Sequence, residues 1–202
     1  LKVKSASFES EAFRCEAAAA GLCDTLRNII HIFSSVFIGS TSFSTNITEF
    51  DGLRILKQTF LTYRNVCANA PRSQQVAAKS GALTIALQFV LAMMKVRRDD
   101  FEKDAGEQWQ IMGIAAVKSA LQFIGNAIVM CAANQTIVWD FCISEKCLSE
   151  MMVVGARMDR GVFGTVVMIV YNCLCKCKAS LADYDQDHRD RLDILVKTRK
   201  NT

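Results

Sequence analysis

Apolar residues recur along this chain at three- and four-residue intervals, the spacing that gathers them on one face of an α-helix. Leu22, Leu26, Ile29, Ile30 and Phe33 follow it, and residues 5–38 read as helical with Gly21 as a break. The pattern lapses over 39–47, a Ser/Thr-rich loop. A helix is predicted over 48–69. It must stop before Pro71, because the residue preceding a proline is pushed out of helical geometry. A short helix over 73–79 ends at Ser80-Gly81, and 83–94 is an almost unbroken apolar helix. Residues 95–109 are dense in charge and read as a solvated insertion. Helical spacing resumes over 111–133, 135–143, 145–155 and 161–178, followed by a polar helix over 183–200. Residues 166–170 are β-branched enough for a strand, but the apolar run continues past strand length, so helix is preferred. The chain is predicted to be all-α, a single domain over 1–202.

Composition narrows the class. A single proline among 202 residues, with 51% hydrophobic content, argues against a β-sandwich and against disorder. The purest apolar runs, 81–94 and 161–175, fall short of the roughly 20 residues that span a bilayer. The longer 111–133 is interrupted by Lys118, Gln122 and Asn126. Buried helices and no membrane insertion are expected. The net charge of +4 is scattered, so no nucleic-acid partner is expected. Nine cysteines, an odd number set in apolar helical runs, suggest free buried thiols in a reducing compartment. The chain opens on Leu1 rather than Met, and a piece of a longer protein is expected.

Three long helices share a layout centred on an asparagine: Tyr63-Arg64-Asn65-Val66-Cys67, Gln122-Phe123-Ile124-Gly125-Asn126 and Val170-Tyr171-Asn172-Cys173. Leu26-Arg27-Asn28-Ile29 reads as a degenerate fourth. A glutamine follows the first two centres nine residues on, at Gln74 and Gln135. The centres lie 37, 61 and 46 residues apart, and two of these spacings approach the ~40–47-residue period of armadillo and HEAT units. The excess in the spacing of 61 is assigned to the charged insertion 95–109. Such a period predicts stacked helical units that share one core.

Gln74 to Leu83 resembles the first-to-second helix junction of an armadillo repeat. Closer still, Tyr63-Arg64-Asn65-Val66-Cys67, Leu121-Gln122-Phe123-Ile124-Gly125-Asn126, Asn134-Gln135-Thr136-Ile137-Val138-Trp139 and Ile169-Val170-Tyr171-Asn172-Cys173 are similar to the ataxin-10 family. The resemblance covers roughly residues 55–178. It implies an armadillo-like α-solenoid, non-enzymatic and cytoplasmic, that needs no cofactor and binds other proteins. It further implies links to cytokinesis and to neuronal survival and neurite outgrowth. In armadillo proteins the third helix of each unit lines a groove where amides meet an extended peptide backbone. By match, Asn65, Gln122, Asn126 and Asn172 stand in that groove. They either contact a partner or bond neighbouring helices of the stack. Import receptors of the class carry Trp where this chain has Leu61, Gln122 and Met168, so import-signal binding is disfavoured. Self-association remains open. Two other functions are kept: a transport or trafficking adaptor for extended peptides, and a cysteine-dependent metal or redox protein.

Other chemistry fits poorly. Cys173, Cys175 and Cys177 are two residues apart, and on a helix such side chains diverge by about 200°. Asp183, Asp185 and Asp187 resemble the start of a calcium loop, yet its glycine and closing glutamate are missing. No phosphate-cradling loop, nucleophile elbow or HExxH occurs. Neither a catalytic nor a metal site is expected. Asn46-Ile47-Thr48 and Asn134-Gln135-Thr136 match the glycosylation sequon, a weak signal.

Overall fold

The computed structural model describes residues 10–38, 47–95, 107–144, 147–174, 189–191, 193, 194 and 196. Among them every regular element is an α-helix. In chain order these are α1 (Glu11–Ala19), α2 (Leu22–Ser34), α3 (Ile47–Cys67), α4 (Pro71–Lys79), α5 (Ala82–Lys95), α6 (Glu107–Ile128), α7 (Ala132–Ser144), α8 (Leu148–Met158) and α9 (Arg160–Leu174).

The helix ends follow from local chemistry. Ser10 caps α1 by accepting the amide of Phe13 at 3.3 Å. Pro71 opens α4, where its missing N–H costs nothing. Gly21 (φ +86°) turns the chain from α1 to α2, and Gly81 (φ +80°) turns it from α4 to α5. Only glycine adopts such angles freely. Asn69 (φ 49°) follows α3 and Met130 (φ 56°) follows α6 in the same left-handed conformation. The long apolar stretch after residue 111 is therefore broken at Met130, and α7 begins at Ala132.

These turns recur because the helices recur. Sixty residues separate Glu11 from Pro71 and Leu22 from Ala82, and sixty-one separate Cys67 from Ile128. The helices fall into first (α1, α4, α7), second (α2, α5, α8) and third (α3, α6, α9) members of three sets. Like packs on like: α1 on α4 and α4 on α7, α2 on α5 and α5 on α8, α3 on α6 and α6 on α9.

This corrects two readings of the repeat. The spacing of 61 is not a shorter period lengthened by one insertion, since the first two sets already lie 60–61 residues apart throughout. Residues 39–46 and 96–106, at matching places between second and third helices, lie outside the described residues. Asn28 sits exposed on α2, a second helix, and is no counterpart of Asn65 on α3. Trp109 belongs to α6 rather than to a solvated insertion: it is buried, its ring 6.2 Å from that of Phe50 on α3.

The core runs between the sets. Phe60 and Tyr63 of α3 stack on Phe123 of α6 with ring centroids 6.1 Å and 4.5 Å apart. Phe89 of α5 closes on Phe60 and Phe37 at 5.6 Å and 5.9 Å. Burying each such ring contributes roughly 1.5–3 kcal/mol. With Phe50 beside Trp109 near their starts and Tyr63 beside Phe123 near their ends, α3 and α6 run parallel. At 22 residues, α6 is long and apolar enough to cross a membrane by length and composition, more so than the interrupted run implied. Of its most apolar window, 61% is buried inside the protein.

Candidate functional site

Three of the four groove candidates converge on a residue to which sequence reasoning gave no role, Arg64. Its guanidinium donates through Nε and Nη2 to Asn65 Oδ1 at 3.2 Å and 3.0 Å. Through Nη1 it donates to Gln122 Oε1 on α6 at 2.8 Å. Its backbone carbonyl, near the end of α3, accepts Asn126 Nδ2 at 3.1 Å. A planar fork of N–H donors suits this simultaneous grip on two amides. Asn65 is buried, while Gln122 and Asn126 are half-buried.

The two repeated glutamines act alike. Gln74 Nε2, from the start of α4, reaches the carbonyl of Cys67 at 3.2 Å, and Gln135 Nε2, from α7, reaches that of Ile128 at 3.0 Å. Each reaches back seven residues to the last carbonyls of a third helix, which have no partner within their own helix. Gln74 also meets the carbonyls of Asn126 and Val129 at 2.9 Å and 3.2 Å, tying the first set to the second. Asn134 Nδ2 donates to the carbonyls of Gln74 (2.9 Å) and Ala127 (2.8 Å). Ser73 Oγ, at the matching place one set earlier, donates to that of Arg14 at 3.2 Å. The amides that mark the repeat in sequence thus close helix ends and join sets.

Asn172 occupies the place on α9 that Asn126 occupies on α6, and it is half-buried. The contact between α6 and α9 differs in chemistry from that between α3 and α6. A Cβ placed on Gly125, the counterpart of Arg64, would lie 2.9 Å from Met168 Cε, and Met168 is the counterpart of Gln122. The polar grip of one contact is replaced by a methionine laid over a glycine in the next. Beside it, Lys118 Nζ of α6 lies 3.6 Å from Asp159 Oδ1. That carboxylate accepts the amides of Gly161 (2.8 Å) and Val162 (3.0 Å). These backbone bonds, aided by Lys118, hold its pKa below the usual 3.8.

The buried thiols Cys23, Cys67, Cys142 and Cys173 are packed rather than reactive. Burial pushes Cys23 up to about 11 and Cys173 up to about 12, and raises Cys67 as well. Cys142 is raised by its bond to Cys147 and by burial. Thiols in that range stay protonated at neutral pH. Among the described residues no three His, Cys, Asp or Glu side chains are placed to hold a metal. Cys175, Cys177 and the aspartates at 183, 185 and 187 lie outside the described residues. Asn134 of the second sequon is buried with its amide nitrogen engaged, which leaves no room for a glycan; Asn46 of the first lies outside the described residues. Trp139 is buried on α7, and the guanidinium of Arg191 lies 5.2 Å from its ring centroid. Arg191 also donates to the carbonyl of Cys173, capping the end of α9 much as the glutamines cap α3 and α6.

In comparisons with protein-family models, with curated proteins and with solved structures, the chain finds no match.

Proposed function

We propose that this chain is an armadillo-like α-solenoid of the ataxin-10 type and serves as a non-enzymatic scaffold for other proteins. One observation carries the reading: equivalent helices recur, at 60–61 residues between the first two sets, and pack like on like through all three, so successive third helices form one continuous face. A stack of this kind is an extended surface rather than a cleft, and it suits protein partners. The face carries Gln122, Asn126 and Asn172, each half-buried, in the places the armadillo resemblance gives to partner contacts. Asn65 supports Gln122 from beneath through the guanidinium of Arg64. The burial of α6 within the core favours a protein without membrane insertion, and a cytoplasmic place rests on the sequence resemblance. Links to cytokinesis and to neurite outgrowth rest on the sequence resemblance alone.

The test is capture of interacting proteins by the chain, with cross-links mapped onto the protein. A stoichiometric complex whose cross-links fall on α3, α6 and α9 is expected, and a Gln122→Ala/Asn172→Ala pair should weaken it. Stoichiometric copper or zinc in the purified protein, or substrate turnover, would overturn the reading.

A further inference from the structure

Beyond their starts, the third helices carry cations and no carboxylate. The sequence has no Asp or Glu from 52 to 69, from 108 to 139 or from 160 to 174. In these stretches α3 brings Arg54, Lys57 and Arg64, α6 brings Lys118, and α9 begins with Arg160. Arg54 is engaged by Asp51 at 3.1 Å, and Lys118 by Asp159 at 3.6 Å. Lys57 and Arg64 meet no carboxylate among the described residues. With half-buried Leu61 between them they stand at i, i+4 and i+7, one stripe of α3 on the side of α6. Asn65 Oδ1 and Gln122 Oε1 take three of the five N–H groups of Arg64, so two remain. The amides beside it are half-used: Gln122 keeps its Nε2 donor and Asn126 its Oδ1 acceptor. All three side chains are half-buried, open to solvent on one side.

We propose that the groove between α3 and α6 binds an extended acidic segment of a partner protein, with one carboxylate on Arg64 and a second on Lys57. The inference rests on the scaffold reading above and names the class of partner. A guanidinium whose plane is already fixed by two amides loses little freedom on meeting a carboxylate. Charge-assisted bonds of this kind are shorter and stronger than neutral ones. Lys57 and Arg64 are seven residues apart, about 10 Å along the helix axis, which an extended chain crosses in roughly three residues. Leu61 between them favours an apolar side chain between the two acids. Gln122 Nε2 and Asn126 Oδ1 offer one donor and one acceptor to the backbone of the segment. An RNA backbone, charged at every residue, would find two free cations and a leucine there, a poorer match.

The probe is the labelled peptide Glu-Leu-Ser-Glu-Leu-Ser-Glu, titrated into the full chain at low salt and followed by fluorescence anisotropy. Saturable binding is expected, at least ten-fold weaker when glutamine replaces each glutamate. Lys57→Glu should weaken it at least ten-fold. Arg64→Lys should weaken it about three-fold or more, because lysine keeps the charge and loses the fork. Lys57 makes no hydrogen bond or ion pair among the described residues, so Lys57→Glu should keep its helix content by circular dichroism. Lys79→Glu makes the same charge change at an exposed position on α4 and should bind as wild type does. Equal binding of the glutamine peptide, equal losses with Lys57→Glu and Lys79→Glu, or no saturable binding overturns the proposal. So does a single-stranded RNA that displaces the peptide and binds more tightly, because phosphate then owns the groove. If the peptide fails while cross-links of a captured partner still fall on α3, α6 and α9, only this inference is lost and the scaffold reading stands.

Discussion

Arg64 and Gln122 join α3 to α6 through a 2.8 Å hydrogen bond between residues 58 apart in sequence. The bond makes a repeated surface position part of the helix contact. Arg64→Ala removes the donors that satisfy Asn65 Oδ1, and Asn65 is only 4% exposed. A buried acceptor left without a donor costs about 1–3 kcal/mol. Urea unfolding should show a loss in that range. A double-mutant cycle with Gln122→Ala should return a coupling of about 0.5–1.5 kcal/mol. Additive single mutants would mean that the pair contributes nothing as a pair.

Gln74 supports three carbonyls, so its loss should cost more than that of Gln135, which supports the carbonyl of Ile128. Gln74→Ala is expected to destabilise by about 2–3 kcal/mol and Gln135→Ala by about 1 kcal/mol. Thermal melts of the two variants, run side by side, check the order. The reverse ranking would contradict the shared grip of Gln74 on both sets.

Met130 holds φ 56° with its side chain 82% exposed, so burial gives nothing in return for the conformation. Met130→Gly should stabilise the chain by roughly 0.5–1 kcal/mol, because glycine adopts this angle without a Cβ conflict. Gly81→Ala imposes that conflict at φ +80° and should destabilise by about 1 kcal/mol or more. Chemical denaturation curves with unchanged slopes would report both effects.

The buried thiols set an alkaline limit. Cys23 titrates near 11 in the folded chain against 9.0 for a free thiol, so the folded state holds its proton more tightly. Stability from this group is complete below pH 9 and declines as pH rises towards 11. Unfolding free energy measured across that window should fall, and Cys23→Ala should flatten the slope. At pH 7.5 without denaturant, alkylation of Cys67 should be slow relative to unfolded chain, with mass spectrometry locating the adducts.

Asp159 acts in the opposite direction. Its carboxylate accepts two amides at the start of α9, and its pKa is depressed. The stability it adds is present above the ordinary 3.8 and is lost as pH falls through its lower folded value. Asp159→Ala should cost about 1 kcal/mol at neutral pH, as the loss of a helix cap does. Lys118→Ala should cost less, because that ion pair is open to solvent. Equal losses would place the main effect in the ion pair.

Much of the helical content was legible in the sequence, because helices depend on local spacing. The apolar run at 83–94 became α5, and Gly81 and Pro71 marked true ends. Repeated amides at Asn65, Asn126, Gln74 and Gln135 were visible as well. The work of Asn126 and Gln74 across sets was not, because they bond the carbonyls of Arg64 and Asn126, which approach only once helices stack. The period itself was misread at Asn28, where an asparagine within a helix matched by chance of composition. Met130 was missed as a break, since no turn-forming residue stands there.

The sequence by itself determined that this chain is helical, where apolar faces lie and which amides repeat, since these follow from spacing along the backbone. Only the tertiary structure decided that third helix lies on third helix and that Arg64 gathers the candidate site. Those facts depend on distances between residues far apart in sequence, 58 positions for Arg64 and Gln122 and 62 for Arg64 and Asn126, and such distances exist only after the helices have packed.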